Sequence, residues 1–152
     1  MDDLIKANIA VYQLLTDNAT LVAAVEEIRE GVWRNDGLDY EDEKFPYVYF
    51  ENQVPSEIAA LGREDSVIEY EIKVCAVDKN AEGSYRDSLN DISTEIKTAL
   101  QNKCEAILDP DDGVTVIGHA NVKRITPFAS RFDDAGKPYI ELGGLYNVTV
   151  SD

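Results

Sequence analysis

The sequence predicts an α+β domain: one mostly antiparallel four-stranded sheet, with a long helix and an N-terminal helix packed on one face. Three observations carry that expectation. Ser66 to Val77 alternates, with Ile68, Tyr70, Ile72, Val74 and Ala76 on one side and Glu69, Glu71, Lys73 and Cys75 on the other, the period of a strand. Asn80 to Asn102 places Tyr85, Leu89, Ile92, Ile96, Ala99 and Leu100 at helical spacing, a continuous apolar stripe suited to lying on a sheet. Phe45-Pro46-Tyr47-Val48-Tyr49-Phe50 joins a strand-entrance proline to an aromatic and β-branched run, which suits a pleated surface.

The remaining elements follow in order. Asp3 to Leu15 reads as a helix, with Ile5, Ile9 and Tyr12 at i, i+4 and i+7 and Leu4, Val11 and Leu15 beside them. Asp2 or Asp3 can cap it and meets the positive end of its dipole. Thr16-Asp17-Asn18 stops that helix and starts a short one, Ala19 to Glu27, presenting Leu21, Val22 and Val25. Val32-Trp33 is a brief extended piece closed by the turn signal Asn35-Asp36-Gly37. An acidic loop, Leu38 to Lys44, leads to the Pro46 strand, which runs to about Val54. Val48 and Phe50 share one face of it; Tyr47, Tyr49 and Glu51 share the other. Pro55 to Glu64 is a loop. After the long helix, Asp109-Pro110-Asp111-Asp112-Gly113 is a turn, and two strands, Val114 to Pro127 and Tyr139 to Val150, close the chain around a hairpin loop at Asp133 to Pro138.

A length of 152 residues predicts one domain, 1–152, and a hydrophobic content of 44% argues against wholesale disorder. Met1-Asp2-Asp3 is acidic and no long apolar run follows, so neither a secretory leader nor a membrane span is expected. Cys75 and Cys104 are too few for a disulfide framework or a zinc site; Cys75 falls on the strand face away from the core and Cys104 at the end of the long helix. The net charge is −16. Between Asp36 and Glu71 eleven acids face only Lys44 and Arg63. That balance reads as a solvated face, or as a surface that must not hold nucleic acid, and it excludes DNA binding through phosphate neutralisation as the main activity.

No constellation for chemistry emerges, and no catalytic, cofactor-binding or metal-ligating residue is assigned. His119, the single histidine, stands beside Gly118 in a strand pattern without a nucleophile or a second ligand near it. Asp109 to Gly113 lacks the spacing of a calcium loop and reads as a turn, with a weak divalent site as the alternative. Gly143-Gly144 lies between β segments, so it marks a bulge or kink in the last strand and not a phosphate cradle. The aromatic set Trp33, Phe45, Tyr47 and Tyr49 divides between core packing and a subunit interface, since aromatics facing away from the helices on an acidic surface suit a contact. The expected interface residues are Trp33, Tyr47 and Tyr49, with Pro55, Glu57 and Arg63 from the following loop.

Taken together, Val11-Tyr12-Gln13-Leu14-Leu15, then Asp17 to Ala23, Val32-Trp33, Phe45 to Phe50 and the helix from Ser84-Tyr85 to Leu100 resemble the tail terminator and tail completion proteins of long-tailed bacteriophages. The resemblance covers about residues 4 to 102. The chain departs from the family in its acidic segment Asp36 to Glu43 and in a longer stretch from Lys103 to Gly113. The resemblance implies a non-enzymatic virion protein at the tail–neck junction, assembled in the host cytoplasm as a homo-oligomeric ring, expected to be a hexamer. Such a ring caps the tail tube, contacts the major tail tube protein and the head-completion or neck protein, and passes DNA without specific binding; no membrane or cofactor is implied. Another neck protein, a head-completion or stopper subunit, is the nearest alternative reading. A small ligand-binding or enzymatic α+β module is the one from a different class.

Overall fold

The computed structural model describes residues 2–31, 46–52, 66–77, 83–134 and 136–152. Its elements in chain order are α1 (Asp3–Thr16), α2 (Ala19–Ala24), β1 (Glu27–Glu30), β2 (Tyr47–Asn52), β3 (Ser66–Val77), α3 (Gly83–Leu100), β4 (Cys104–Leu108), β5 (Val116–Asp134) and β6 (Lys137–Ser151). The strands form one six-stranded sheet in the order β1-β2-β3-β6-β5-β4. The expected four strands are therefore corrected to six. β1 pairs parallel to β2, and every other pair is antiparallel.

The two added strands are both edges. Glu27–Glu30, whose first residue was expected to end the second helix, pairs Ile28 with Val48 and Arg29 with Tyr49; α2 stops at Ala24 after six residues. Cys104 does not end α3 but begins β4, whose register on β5 runs from Cys104↔Asn121 to Leu108↔Val116. Short edge strands of mixed polarity carry no alternation of their own. Their conformation is set by the neighbour that supplies the ladder.

The helix face of the sheet holds the main core. Val48 and Phe50 from β2, the expected set Ile68, Tyr70, Ile72, Val74 and Ala76 from β3, and Ile140, Tyr146, Val148 and Val150 from β6 meet Leu89, Ile92, Ile96, Ala99 and Leu100 of α3. Just past the end of α3, Asn102 takes φ 59°, a left-handed conformation that asparagine tolerates after a helix terminus. The Asp2 carboxylate accepts from the Leu4 N–H at 2.7 Å, and the Asn18 side chain from the Leu21 N–H at 3.0 Å, capping α1 and α2.

α1 buries only part of the expected stripe: Val11 and Leu15 are buried and Leu4 and Ile9 pack against the core, but Ile5 and Tyr12 do not. Ala7, Ala10, Val11, Leu14 and Leu15 face the core, whereas Ile5 and Tyr12 remain 50% and 49% exposed. Two apolar stripes compete on this helix. The one with the small residues Ala7 and Ala10 lets the backbone approach the sheet, so it wins. Tyr70 of β3 reaches up to donate its hydroxyl to the Asn8 Oδ1 atom. Burial, helped by the Glu30 carboxylate, holds that phenol above the usual tyrosine range.

The last hairpin is longer and tighter than expected. The β5–β6 ladder continues to Asp134↔Lys137, and Gly136 takes φ +81° in the turn between them. The expected bulge is on β5 and not on the glycine-bearing strand: the register shifts between Arg124 and Thr126 while β6 stays regular. Gly143 marks a close approach, since a Cβ there would stand 2.0 Å from the Ile72 carbonyl oxygen.

Truncating Ile96 in the centre of the α3–sheet contact is expected to cost on the order of 2–5 kcal/mol. Denaturant melts of Ile96→Ala that matched wild type would contradict the packing of α3 on β3 and β6.

Candidate interaction surfaces

The face of the sheet away from the helices divides into a closed half and an open half. In the closed half Tyr47, Tyr49 and Cys75 form a second cluster, with Phe132 packed against it. The expected direction of Tyr47 and Tyr49, away from the helices, is what the sheet gives them. Their expected exposure is corrected: Tyr47 is 1% and Tyr49 0% exposed within the single subunit. Neither ring is free to meet a partner. Trp33, Pro55, Glu57 and Arg63, the other expected interface residues, lie outside the described residues, as do the acidic segment Asp36 to Lys44 and the loop Pro55 to Glu64.

The bulge explains how this second cluster arises. Ala120 and Val122 of β5 point into the helix-side core. One extra residue at Ile125 then reverses the alternation, so Phe128, Ser130 and Phe132 pair across from Gly143, Glu141 and Tyr139 on the opposite face. Phe132 stacks on Tyr139 at 5.3 Å between centroids. Ile125 itself is left 49% exposed.

Lys73 falls on the strand face expected to point away from the core. It is nevertheless buried, as is Glu141. The Lys73 ammonium stands 3.3 Å from carboxylate oxygens of both Glu71 and Glu141. It also lies 4.3 Å from the Phe128 ring centre and 5.0 Å from that of Tyr49. Ser130 donates its hydroxyl to Glu141 at 3.3 Å. A cation held between two carboxylates and two ring faces is compensated on every side, which is how an ammonium persists here. The Tyr49 hydroxyl is buried without a hydrogen-bond partner among the described residues.

The open half of this face carries Cys104, Ala106, His119, Asn121, Thr149 and Ser151 around a shallow hollow of about 340 Å³. Cys104 is exposed, Cys75 is buried, and neither is in a disulfide. His119 shares the hollow with Cys104, Glu105, Thr149 and Ser151 and lies across the ladder from Ser151, with no side-chain hydrogen bond to any of them among the described residues. Among the described residues no group of three or more histidines, cysteines and acids is placed to hold a metal ion, and no helix is long and apolar enough to cross a membrane. The turn after β4 uses its own carboxylates: Asp112 accepts from the Val114 and Thr115 N–H groups at 2.8 and 2.9 Å, and Asp109 from Asp111 N–H at 2.9 Å. The Thr115 hydroxyl and these amides hold the Asp112 carboxyl below its usual range.

On the helix side, the stripe of α1 left out of the core forms an apolar hollow of about 420 Å³ with Phe50 and Pro110, lined by Ile5, Ile9 and Tyr12. Of these three, all expected inside, Ile5 and Tyr12 are exposed while Ile9 also packs against the core. The two sheet edges also differ in how they end. At β4 the Gln13 side chain donates to the Ala106 carbonyl and accepts from the Leu108 N–H, each at 3.0 Å. One amide thus stands in for a missing strand neighbour.

The chain matches no protein-family model and no curated protein sequence. In structure it is similar to a chain of the virion of a native gene transfer agent (GTA) particle, with TM-score 0.59 at 18% identity, covering 93% of this chain and 92% of that one. It also aligns with the bacteriophage SPP1 gp17 protein at TM-score 0.42 and 18% identity, over 98% of this chain and 91% of that one. With the GTA virion chain it shares a fold.

Two substitutions test the closed half. Lys73→Met leaves Glu71 and Glu141 facing each other in a buried site and is expected to destabilise by about 3–5 kcal/mol. Tyr49→Phe removes an unpaired buried hydroxyl and is expected to be neutral or stabilising in the same chemical-denaturation measurement.

Proposed function

We propose that this chain is a structural virion subunit, a ring-forming tail terminator that caps the tail tube and provides the surface joining tail to head. The observation that carries the reading is the end-to-end fold likeness to a chain of the GTA virion, spanning 93% of this chain and 92% of that one. It agrees with the independent resemblance of residues 4 to 102 to the tail terminator family. The partners are further copies of the chain, expected as a hexamer, the major tail tube protein and a head-completion or neck protein. The place of action is the tail–neck junction of the particle.

The surface chemistry supports an assembly role. Ile5, Tyr12, Val22, Val114, Val116 and Ile125 are large apolar residues left exposed by the single subunit, and such surface suits burial against a partner. The net charge of −16 suits a channel wall, because an acidic lumen repels phosphates and lets DNA pass without being held. Trp33, Pro55, Glu57 and Arg63 remain proposed contacts. Tyr47 and Tyr49 are buried within the subunit and contribute through packing.

The charge also sets how assembly responds to salt. Subunits of the same sign repel over roughly 10 Å at 0.1 M ionic strength and over about 30 Å at 0.01 M. Association is therefore expected to strengthen as salt rises, and light-scattering mass should climb from the 16.9 kDa subunit to a closed multiple of it. A monomer at every salt concentration, together with no cosedimentation with tail tubes, would overturn the ring reading.

A further inference from the structure

We infer that the open edge of β5 is the contact that joins one subunit to the next, taking the β1 edge of a second copy of this chain. The inference rests on the ring-forming reading above and names the surfaces that build the ring. Its first observation is an unequal treatment of one side of the sheet. β4 covers β5 from Val116 to Asn121, and Gln13 seals β4 in turn. Val122 is still occupied, accepting from the Asn102 N–H at 3.0 Å and donating to the Lys103 carbonyl at 2.9 Å. From Lys123 to Asp133 β5 has a strand neighbour only on the β6 side among the described residues. A strand edge of that length is a template for pairing with another chain unless it is blocked.

The second observation is charge. Thirty of the 152 residues are acids, yet none lies between Asp112 and Asp133, where Lys123, Arg124 and Arg131 all occur. Lys123 and Arg131 are exposed. From Lys123 to Phe132 the edge is thus cationic and carries no acid of its own, on a strongly anionic chain, and it ends at the exposed Asp133. At the far end of the same sheet β1 is the other terminal strand, and its segment Glu26 to Glu30 carries three glutamates and one arginine. The two edges are complementary in hydrogen bonding and in sign. Joining opposite edges of identical subunits is a head-to-tail contact, which closes into a ring when the rotation per subunit allows it. Long-range repulsion between bodies and short-range attraction between edges then act together, and the edges fix the register.

The test compares solution mass by sedimentation at one fixed salt concentration at which the wild-type chain associates, with circular dichroism to establish that each variant is folded. Lys123→Glu and Arg131→Glu are each expected to weaken association on the order of ten-fold. Lys97→Glu makes the same change in net charge at an exposed helix position, on neither edge strand, and is expected to leave association nearly unchanged. Adding Glu30→Lys to Arg131→Glu should recover part of the loss. If both β5 variants behave like Lys97→Glu while the ring persists, this contact is wrong and the ring reading stands. Wild type that stays monomeric at every salt concentration sinks both. Retention of duplex DNA by wild type in a filter assay, lost in Lys123→Glu, would assign the edge to nucleic acid and overturn the inference.

Discussion

The ladder between β3 and β6 is the constraint on which the rest of the structure depends. It runs without interruption from Ser66↔Val150 to Val77↔Tyr139 and places two strands far apart in sequence at the centre of the sheet. β3 has the alternation to serve both faces, with Ile68, Tyr70, Ile72, Val74 and Ala76 under the helices and Lys73 and Cys75 behind. Gly143 is what lets β6 lie against it, because any side chain would collide with the backbone at Ile72 and Lys73. The helices pack on a surface that this pairing creates, and the outer strands extend it.

Placing Lys73 in the middle of that ladder forces the rest of the far face to answer its charge. Glu71 and Glu141 come from the strand itself and from its neighbour. The aromatic shell needs β5, which brings Phe128 and Phe132 across only because Ile125 shifts the alternation by one residue. The bulge thus does two things at once. It completes a buried polar group that would otherwise be costly, and it presents Ile125 and the following strand edge to the outside. Packing behind the sheet and the exposure of Ile125 are consequences of one inserted residue.

The distribution of charge follows the same division of labour. Acids dominate the rest of the chain, where they favour solubility. The acid-free run of β5 sits where the sheet is left open. Gln13 shows that the fold can close an edge with a single side chain when closure is needed. Leaving the neighbouring edge open while clearing it of acids is consistent with an edge meant to be covered by another molecule.

By itself the sequence determined the long periodic elements. The alternation of Ser66–Val77, the stripe from Leu89 to Leu100 and the two faces of Tyr47–Asn52 are local patterns, and each appears in the structure on the expected side. The absence of acids between Asp112 and Asp133 is a fact of composition, but its meaning depended on knowing that from Lys123 onward β5 pairs only with β6 among the described residues. Tertiary structure decided what periodicity cannot encode. β1 and β4 are strands because a partner offers hydrogen bonds, not because Glu-Ile-Arg-Glu or Cys-Glu-Ala-Ile-Leu prefers one. Ile5 and Tyr12 lost the core to Ala7 and Ala10 because the sheet rewards close approach over bulk. Tyr47, Tyr49 and Lys73 point where alternation says, yet whether that side meets water or protein was settled by a hairpin more than fifty residues further on in the chain, since burial is a property of what arrives from elsewhere.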